Sequence, residues 1–142
     1  MSPHITNIHA SCVALDPQRG VLIRGAAGSG KSSLALGLMA FGAHLVADDR
    51  VDLQAQAGAL IASAPAPLRH QIEARQVGIL HADALEHARV SFIVDLDHEE
   101  TERLPPHREE MLLDVTLPLV LRVQHDHLVS AVLQYLKMGR VA

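Results

Sequence analysis

Residues 25–32 read Gly25-Ala26-Ala27-Gly28-Ser29-Gly30-Lys31-Ser32. They match the pattern G-x-x-x-x-G-K-[ST] and directly follow the apolar run Val21-Leu22-Ile23, an arrangement typical of a phosphate-binding loop between a strand and a helix. Several backbone N–H groups of such a loop have to point at one anion, which requires residues with access to positive φ and few Cβ atoms. The three glycines of the stretch meet this requirement. The segment therefore predicts a strand, a phosphate-binding loop and a helix in succession.

Two side chains of this loop carry chemistry of their own. Lys31 brings a positive charge to the outer phosphates, and the hydroxyl of Ser32 is placed to coordinate Mg²⁺. A helix that begins near Ser32 adds the positive end of its dipole beneath the anion. A glycine- and serine-rich turn without a ligand is the alternative. We predict that the phosphate is bound by Gly25, Ala26, Ala27, Gly28, Ser29, Gly30, Lys31, Ser32 and Ser33.

The composition is that of one small domain over residues 1–142. The chain is 49 % apolar and 20 % charged, enough for a single core. A net charge of -4 without a basic run argues against a nucleic-acid partner. The single cysteine, Cys12, excludes an internal disulfide, and the first residues, Met-Ser-Pro-His, lack the pattern of a signal peptide. The apolar stretches are too short to span a membrane. We therefore expect a cytoplasmic protein with no membrane partner.

Hydrophobic periodicity predicts a mixed succession of strands and helices. The predicted strands cover residues 5–15, 21–24, 44–47, 51–54, 59–63 and 90–96, and a strand-rich segment covers residues 112–123. The predicted helices cover residues 32–41 and 128–138, and a polar, solvated loop is expected over residues 97–108. Because strands and helices do not alternate strictly, the expected fold class is α/β with a mixed β-sheet and helices packed on it.

Two adjacent carboxylates, Asp48 and Asp49, end the predicted strand 44–47. In most phosphate-loop NTPases an acidic residue at the end of another strand supports Mg²⁺. Neighbouring side chains of an extended chain point in opposite directions. One carboxylate can then face the phosphate and the nucleophile while the other faces the metal or Lys31. The alternative is an ordinary solvated Asp-Asp-Arg turn.

The run from Gly25 to Ser33, with Leu34-Ala35-Leu36 after it, and three further segments resemble the catalytic domain of bacterial HPr kinase/phosphorylase. The most specific is Gly42-Ala43-His44-Leu45-Val46-Ala47-Asp48-Asp49-Arg50-Val51. The others are Asn7-Ile8-His9-Ala10, before the loop, and Ile72-Glu73-Ala74-Arg75-Gln76-Val77-Gly78-Ile79. The resemblance covers roughly residues 5–123. It implies a P-loop domain of the phosphoenolpyruvate-carboxykinase-like type, in a short form without the N-terminal domain of longer members.

The resemblance also implies an activity. Members transfer phosphate from ATP, or from pyrophosphate, to a serine of the phosphocarrier protein HPr of the phosphotransferase system, and catalyse the reverse phosphorolysis. The implied cofactors are therefore ATP or pyrophosphate and Mg²⁺, the implied partner is an HPr-like protein, and a hexamer is expected. Asp48 would be the general base, His9 would aid phosphorolysis and Lys31 would hold the phosphate charge. The implied supports of Mg²⁺ are Ser32, Asp49 and Glu73.

Two departures from the family pattern bear on activity. Gln76 replaces a glycine, so we expect that this turn cannot freely adopt positive φ, which weakens Glu73 as a metal ligand. The residues from Arg122 to Leu128 also stand where the family has an Arg-Pro-Gly-Arg-Asn-like stretch. We expect reduced activity, since a missing donor commonly costs about 3 kcal/mol. Two other functions stay open, a small-molecule kinase or NTPase and a non-catalytic nucleotide-sensing module.

The histidines and the acidic run receive simpler interpretations. The chain contains 10 histidines but no H-E-x-x-H pattern, which disfavours a dedicated zinc site. His125 and His127 are interpreted as a solvated pair. The run Asp97-His98-Glu99-Glu100-Thr101-Glu102 is interpreted as a solvated loop. Arg75 can either bind phosphate or pair with a carboxylate.

Overall fold

The computed structural model describes residues 4–142; residues 1–3, which belong to the segment read for a signal peptide, lie outside it. The described chain forms ten strands and two α-helices. In chain order they are β1 (Ile5–Asp16), β2 (Arg19–Arg24), α1 (Lys31–Ala40), β3 (His44–Ala47), β4 (Arg50–Gln56), β5 (Ala59–Ser63), β6 (Gln71–Ala74), β7 (Gly78–His81), β8 (His87–Glu99), β9 (Arg108–Leu112), β10 (Val115–Arg122) and α2 (Leu128–Met138). A single 3₁₀ turn, Ala66–Leu68, precedes β6.

The long strands β1 and β8 each take part in two sheets. The first half of β1 pairs with β4, β4 pairs with β5, and β5 pairs with the start of β8. The second half of β1 pairs with β2 and β3. β2 and β10 both run parallel to β8, and β9 lies antiparallel to β10. Parallel and antiparallel pairs therefore coexist, which confirms the predicted mixed sheet. The hairpin β6–β7 forms a small sheet of its own.

Strand β2 is apolar on both faces because each face covers a separate core. Leu22 packs between the two sheets, in a core with Ile93 and Leu53. Its neighbours Val21 and Ile23 point to the opposite face, where the helices cover them. A strand that is buried on both faces has a continuous run of apolar residues in its sequence, as is common in parallel sheets. This double burial fixes the strand that leads into the phosphate loop.

Helix α1 starts directly after the loop and is held by its apolar face. Leu34, Ala35 and Leu38 are buried against the sheet. The helix ends where Gly42, at φ 105°, donates its N–H to Met39 O at 3.1 Å, which agrees with the predicted end. Helix α2 has the predicted boundaries. No helix within residues 4–142 combines the length and the apolar character needed to cross a membrane.

Three local predictions differ from the structure. β8 continues to Glu99, and the predicted strand-rich segment divides into the β9–β10 hairpin, whose turn residues Leu113 and Asp114 have φ of 49° and 63°. The β6–β7 hairpin was not predicted, because all four residues of β7 are exposed and show no alternation. Gln76 does adopt positive φ, at 66°. The expectation that this turn avoids that conformation is wrong; Val77 N–H closes the turn on Ala74 O at 2.9 Å.

Candidate active site

A cavity of about 530 Å³ opens over the N-terminus of α1. It is bordered by the phosphate loop, the end of β3, the end of the first half of β1 and the β6–β7 hairpin. Its lining includes all of the predicted catalytic and metal-binding residues: His9, Lys31, Ser32, Asp48, Asp49 and Glu73. Of the predicted phosphate-binding residues, Ala27, Gly28, Gly30 and Ser33 also line it, whereas Gly25, Ala26 and Ser29 do not.

Lys31 is folded back on its own loop. Its ammonium donates to Gly25 O at 2.8 Å and to Ala26 O at 3.2 Å, and the residue is 7 % exposed. A buried ammonium has to be hydrogen-bonded, and these carbonyls meet that need. Gly28 and Gly30 have φ of 83° and 107°, a left-handed conformation that glycine adopts without a Cβ clash. The loop thus wraps around the ammonium at the base of the cavity.

Asp48 is buried and accepts three hydrogen bonds. Ser32 and Ser11 donate their hydroxyls to Oδ1 at 2.8 and 2.9 Å. The backbone N–H of Glu73 donates to Oδ2 at 3.0 Å. Both carboxylate oxygens are therefore engaged, and one side chain joins α1, β1 and β6. Sequence reasoning missed Ser11, whose position at the centre of β1 carries no motif.

Asp49 has a different environment, although it is the next residue. Its side chain is 66 % exposed, and its carboxylate lies 3.5 Å from Nδ1 of His9. Its backbone is left-handed, at φ 67°, and its carbonyl accepts the N–H of Ala10 at 3.2 Å. The strained backbone turns the carboxylate away from Asp48 and toward the cavity. The two carboxylates therefore face different surroundings, but through a left-handed bend after β3 and not through the expected alternation of an extended chain.

The β6–β7 hairpin brings two charged side chains to the opposite wall of the cavity. Ile72 is buried and anchors the hairpin, so that Glu73 and Arg75 reach the cavity from its exposed side. The Arg75 guanidinium lies over Gly28, since a Cβ added there would have Arg75 Nη2 at 3.8 Å. Arg75 therefore faces the loop, which favours phosphate binding over a carboxylate pair. No ion pair of Arg75 occurs within residues 4–142.

Two further side chains contact the backbone of the loop without lining the cavity, and neither was predicted as a site residue. Asp97 accepts the N–H of Ala26 at 2.9 Å. Arg122 donates to Ser29 O at 3.1 Å and to Leu96 O at 3.3 Å. The signal that could have found them is topological. Both residues lie at the ends of β8 and β10, which run parallel to the strand that leads into the loop.

The acidic run is therefore more than a solvated loop. Besides the contact of Asp97, the carboxylate of Glu100 is held by the Arg108 guanidinium, with Nε and Nη2 each at 2.9 Å. This pair closes the segment between β8 and β9. The expectation of a solvated side chain is wrong for Glu100, because its pairing with Arg108 depends on the partner strand and not on the local sequence. Asp97 is exposed as expected, but it belongs to β8 and not to a loop.

Asp95 forms a second buried network at the same end of β8. Its carboxylate accepts the N–H of Asp97 at 2.8 Å, contacts His98 Nδ1 at 2.9 Å and lies 3.6 Å from Arg24 Nη2. Burial raises the pKa of Asp95, but the N–H of Asp97, the His98 ring and Arg24 outweigh it, and the net pKa is lowered. Arg24 also binds Glu110 with both terminal nitrogens. Ion pairs and hydrogen bonds therefore connect the charged side chains at this end of the sheet, next to the phosphate loop.

The residues around the cavity offer oxygen ligands, which suit Mg²⁺. Ser32 and Asp48 are hydrogen-bonded to each other at the cavity edge, and Asp49 and Glu73 line the same space. In residues 4–142 no three His, Cys, Asp or Glu side chains are grouped as a metal cage. Mg²⁺ is usually held by one or two protein groups together with phosphates and water. The donor set therefore fits Mg²⁺ that arrives with a phosphate ligand.

The segment after β10, where the sequence departs from the family pattern, makes contacts outside the cavity. Gln124 donates to Glu99 at 2.8 Å, and the rings of His125 and His127 stack at 5.7 Å. These side chains do not line the cavity. Arg122, the first residue of the segment, is the one that reaches the phosphate loop.

The fold and the cavity together define an α/β phosphate-loop domain, with the loop between a buried strand and α1 and with carboxylates and cations around one cavity. The family described as HPr Serine kinase C-terminal domain matches residues 3–133. The chain belongs to this family, and the resemblance found in the sequence is confirmed.

Named relatives agree with this assignment. HPr kinase/phosphorylase of Geobacillus thermodenitrificans is 39 % identical over 112 residues, which is 70 % of this chain and 36 % of that protein. The protein of the same name from Lactobacillus acidophilus is 50 % identical over 62 residues, 43 % of this chain and 19 % of that protein. The structure of the Hpr(Ser) kinase/phosphatase from Coxiella burnetii matches with a TM-score of 0.76 and 27 % identity, covering 95 % of this chain and 99 % of that one. The chain spans little more than a third of the length of the first of these curated relatives.

Proposed function

We propose that this chain transfers a phosphoryl group from ATP or pyrophosphate to a serine of an HPr-like phosphocarrier protein, and catalyses the reverse phosphorolysis. One observation carries the proposal: loop, carboxylates, histidine and arginine converge on a single cavity. Membership of the HPr serine kinase family and relatives named HPr kinase/phosphorylase support it.

The proposed binding mode follows from the charges of the loop. The N–H groups of the loop and the end of α1 receive the phosphate chain, and Lys31 exchanges its carbonyl partners for phosphate oxygens. Arg75, above Gly28, adds a second cation. Mg²⁺, when bound, neutralises phosphate charge, and Ser32 with Glu73 or Asp48 would hold it. Most of the catalysis is then positioning and charge stabilisation.

The base that accepts the serine proton is one of the two aspartates. The sequence favours Asp48 by resemblance, but the contacts favour Asp49. Both oxygens of Asp48 already accept hydrogen bonds, whereas Asp49 is exposed to the cavity beside His9. We propose that Asp49 accepts the proton as the serine oxygen attacks phosphorus, and that Asp48 holds Ser32 in place. In phosphorolysis the proton returns from Asp49 to the serine oxygen.

A matched pair of variants tests this assignment. Purified protein is incubated with labelled ATP and Mg²⁺, with and without HPr, and binding of Mg-ADP is measured in parallel. Asp49→Asn should bind Mg-ADP like the wild type and lose about 100-fold or more in transfer. Asp48→Asn should lose both binding and transfer. Asp52→Asn is the control; this half-buried aspartate lies outside the cavity lining and accepts, among the described residues, only the side chain of Asn7.

Each other outcome is informative. Full transfer by Asp49→Asn, with binding retained but transfer lost in Asp48→Asn, would reverse the assignment to the one that the resemblance implies. ATP turnover by the wild type without label on HPr would favour a small-molecule kinase or NTPase. Binding of Mg-ADP without any turnover would favour a nucleotide-sensing module. Light scattering in the same buffer tests the expected hexamer.

A further inference from the structure

We infer that Asp97 and Arg122 form a clamp behind the phosphate loop and thereby act as positioning residues for phosphate binding. The inference rests on the proposed function, because it concerns the same site. Neither side chain lines the cavity; both contact the outer backbone of the loop. Their effect on a ligand would therefore pass through the direction of the loop's own N–H groups.

Arg122 fixes one peptide unit of the loop. Its Nη2 donates to Ser29 O at 3.1 Å, while its Nη1 donates to Leu96 O at 3.3 Å on the end of β8. A trans peptide is planar, so the carbonyl of one residue and the N–H of the next point in opposite directions. With Ser29 O turned outward to Arg122, the N–H of Gly30 turns inward. Gly30 lines the cavity, so this N–H is aimed at a bound anion.

Ser29 depends on this backbone contact because its side chain contributes none. Within the described residues, its buried hydroxyl has no hydrogen-bond partner. The side chain instead packs against Gly25, where an added Cβ would overlap it and would also come within 3.2 Å of the Leu96 Cβ. The carbonyl bond to Arg122 and the Ser29 N–H bond to Ala26 O are the polar contacts that orient this residue.

Asp97 fixes the start of the loop in the same way. Its Oδ1 accepts the N–H of Ala26 at 2.9 Å. The N–H of Asp97 is in turn bound by the buried carboxylate of Asp95, which also contacts His98. The loop is thus tied at both ends of its turn to β8, the strand that runs parallel to β2. A loop fixed before binding loses less conformational entropy when the anion arrives.

Arginine 140 provides a matched control for Arg122. Its guanidinium also donates to two backbone carbonyls, those of Pro105 and Pro106, but in the C-terminal region outside the cavity lining. Arg122→Gln and Arg140→Gln therefore remove the same charge and the same kind of contact. A general loss of structure would affect both variants, whereas a loss of loop geometry would affect Arg122→Gln alone.

The test measures geometry and binding separately. The ¹³C shift of the Ser29 carbonyl and the ¹⁵N shift of Gly30 are recorded in the ligand-free proteins. Binding of Mg-pyrophosphate is then measured by calorimetry, with thermal midpoints as a check on folding. In Arg122→Gln we expect both shifts to move and affinity to fall about tenfold or more, in a protein that still unfolds cooperatively well above the temperature of the binding measurement. Arg122→Lys, whose ammonium reaches a single carbonyl, should show an intermediate loss of affinity. Asp97→Asn should lose less affinity than Arg122→Gln. Arg140→Gln should keep the affinity and the chemical shifts of the wild type.

Unmoved Ser29 and Gly30 shifts in Arg122→Gln, or wild-type affinity in that variant, would overturn the inference. Equal losses in Arg140→Gln would also overturn it, because the effect would then be general. Should Arg122→Gln not fold, Arg122→Lys decides by the same two measurements. If the wild type binds neither Mg-pyrophosphate nor Mg-ADP, the proposed function fails. The ligand-free shifts still decide whether the clamp sets the loop's conformation.

Discussion

Replacing Asp48 with asparagine should destabilise the protein even when no phosphate is present. The carboxylate is 7 % exposed and accepts hydrogen bonds from Ser32, Ser11 and the Glu73 N–H at 2.8, 2.9 and 3.0 Å. Hydrogen bonds to a charged acceptor contribute about 1 kcal/mol more than neutral ones. Three such bonds correspond to a loss of about 3 kcal/mol in the free energy of unfolding. In addition, the amide NH₂ of asparagine would face one of the three groups that donate to the carboxylate. Lower desolvation of the neutral amide reduces the loss to about 2 kcal/mol.

The assay is urea unfolding without ligand, followed by circular dichroism because the chain has no tryptophan. Asp52→Asn is the matched control; its half-buried carboxylate accepts, among the described residues, only the side chain of Asn7, so we expect a change below about 0.5 kcal/mol. If Asp48→Asn is no less stable than Asp52→Asn, the three hydrogen bonds do not hold α1, β1 and β6 together, and the reasoning about Asp48 is refuted.

Three further predictions concern the rest of the chain. The pKa of Asp95 is lowered, so its ionised form stabilises the fold above about pH 4 and that contribution is lost as the pH falls through the lowered value; Asp95→Asn should flatten this acid dependence in urea unfolding between about pH 5 and 2.5. Gly37→Ala should destabilise by about 1–3 kcal/mol, because the new Cβ would lie 2.8 Å from Val129 Cγ2; thermal unfolding should show that Val129→Ala relieves the loss, and additive losses would contradict this. Burial raises the pKa of Cys12 to about 12, so a thiol reagent at pH 8 should label the unfolded chain only; rapid labelling of the native protein would contradict the buried position.

The sequence predicts the local parts of the site well, because a motif with its own geometry specifies them. Residues 25–32 predict the loop, and α1 follows them within one residue of its expected start. The Asp48–Asp49 pair at the end of β3 is likewise where the sequence places it. In each case neighbouring residues in the chain are also neighbours in space, so propensity and pattern suffice.

What the sequence misses depends on contacts between distant strands. Asp97 and Arg122 reach the loop only because β8 and β10 lie parallel to β2, over 70 and 90 residues away in sequence. The environment of Asp48 depends on Ser11, 37 residues earlier. The left-handed Gln76 shows the same limit: its hairpin closes through Ile72, which is buried under α1, and tertiary packing overrides the local preference.

The most direct test of the account is whether the cavity binds a phosphate chain. Calorimetry should compare ATP, ADP and pyrophosphate, each with Mg²⁺, in the wild type and in Lys31→Ala, a variant whose folding is verified by circular dichroism. We predict that the wild type binds all three and that Lys31→Ala binds them more weakly by a factor of about 100, corresponding to about 3 kcal/mol. Absence of binding by the folded wild type, or unchanged affinity in Lys31→Ala, would contradict the account.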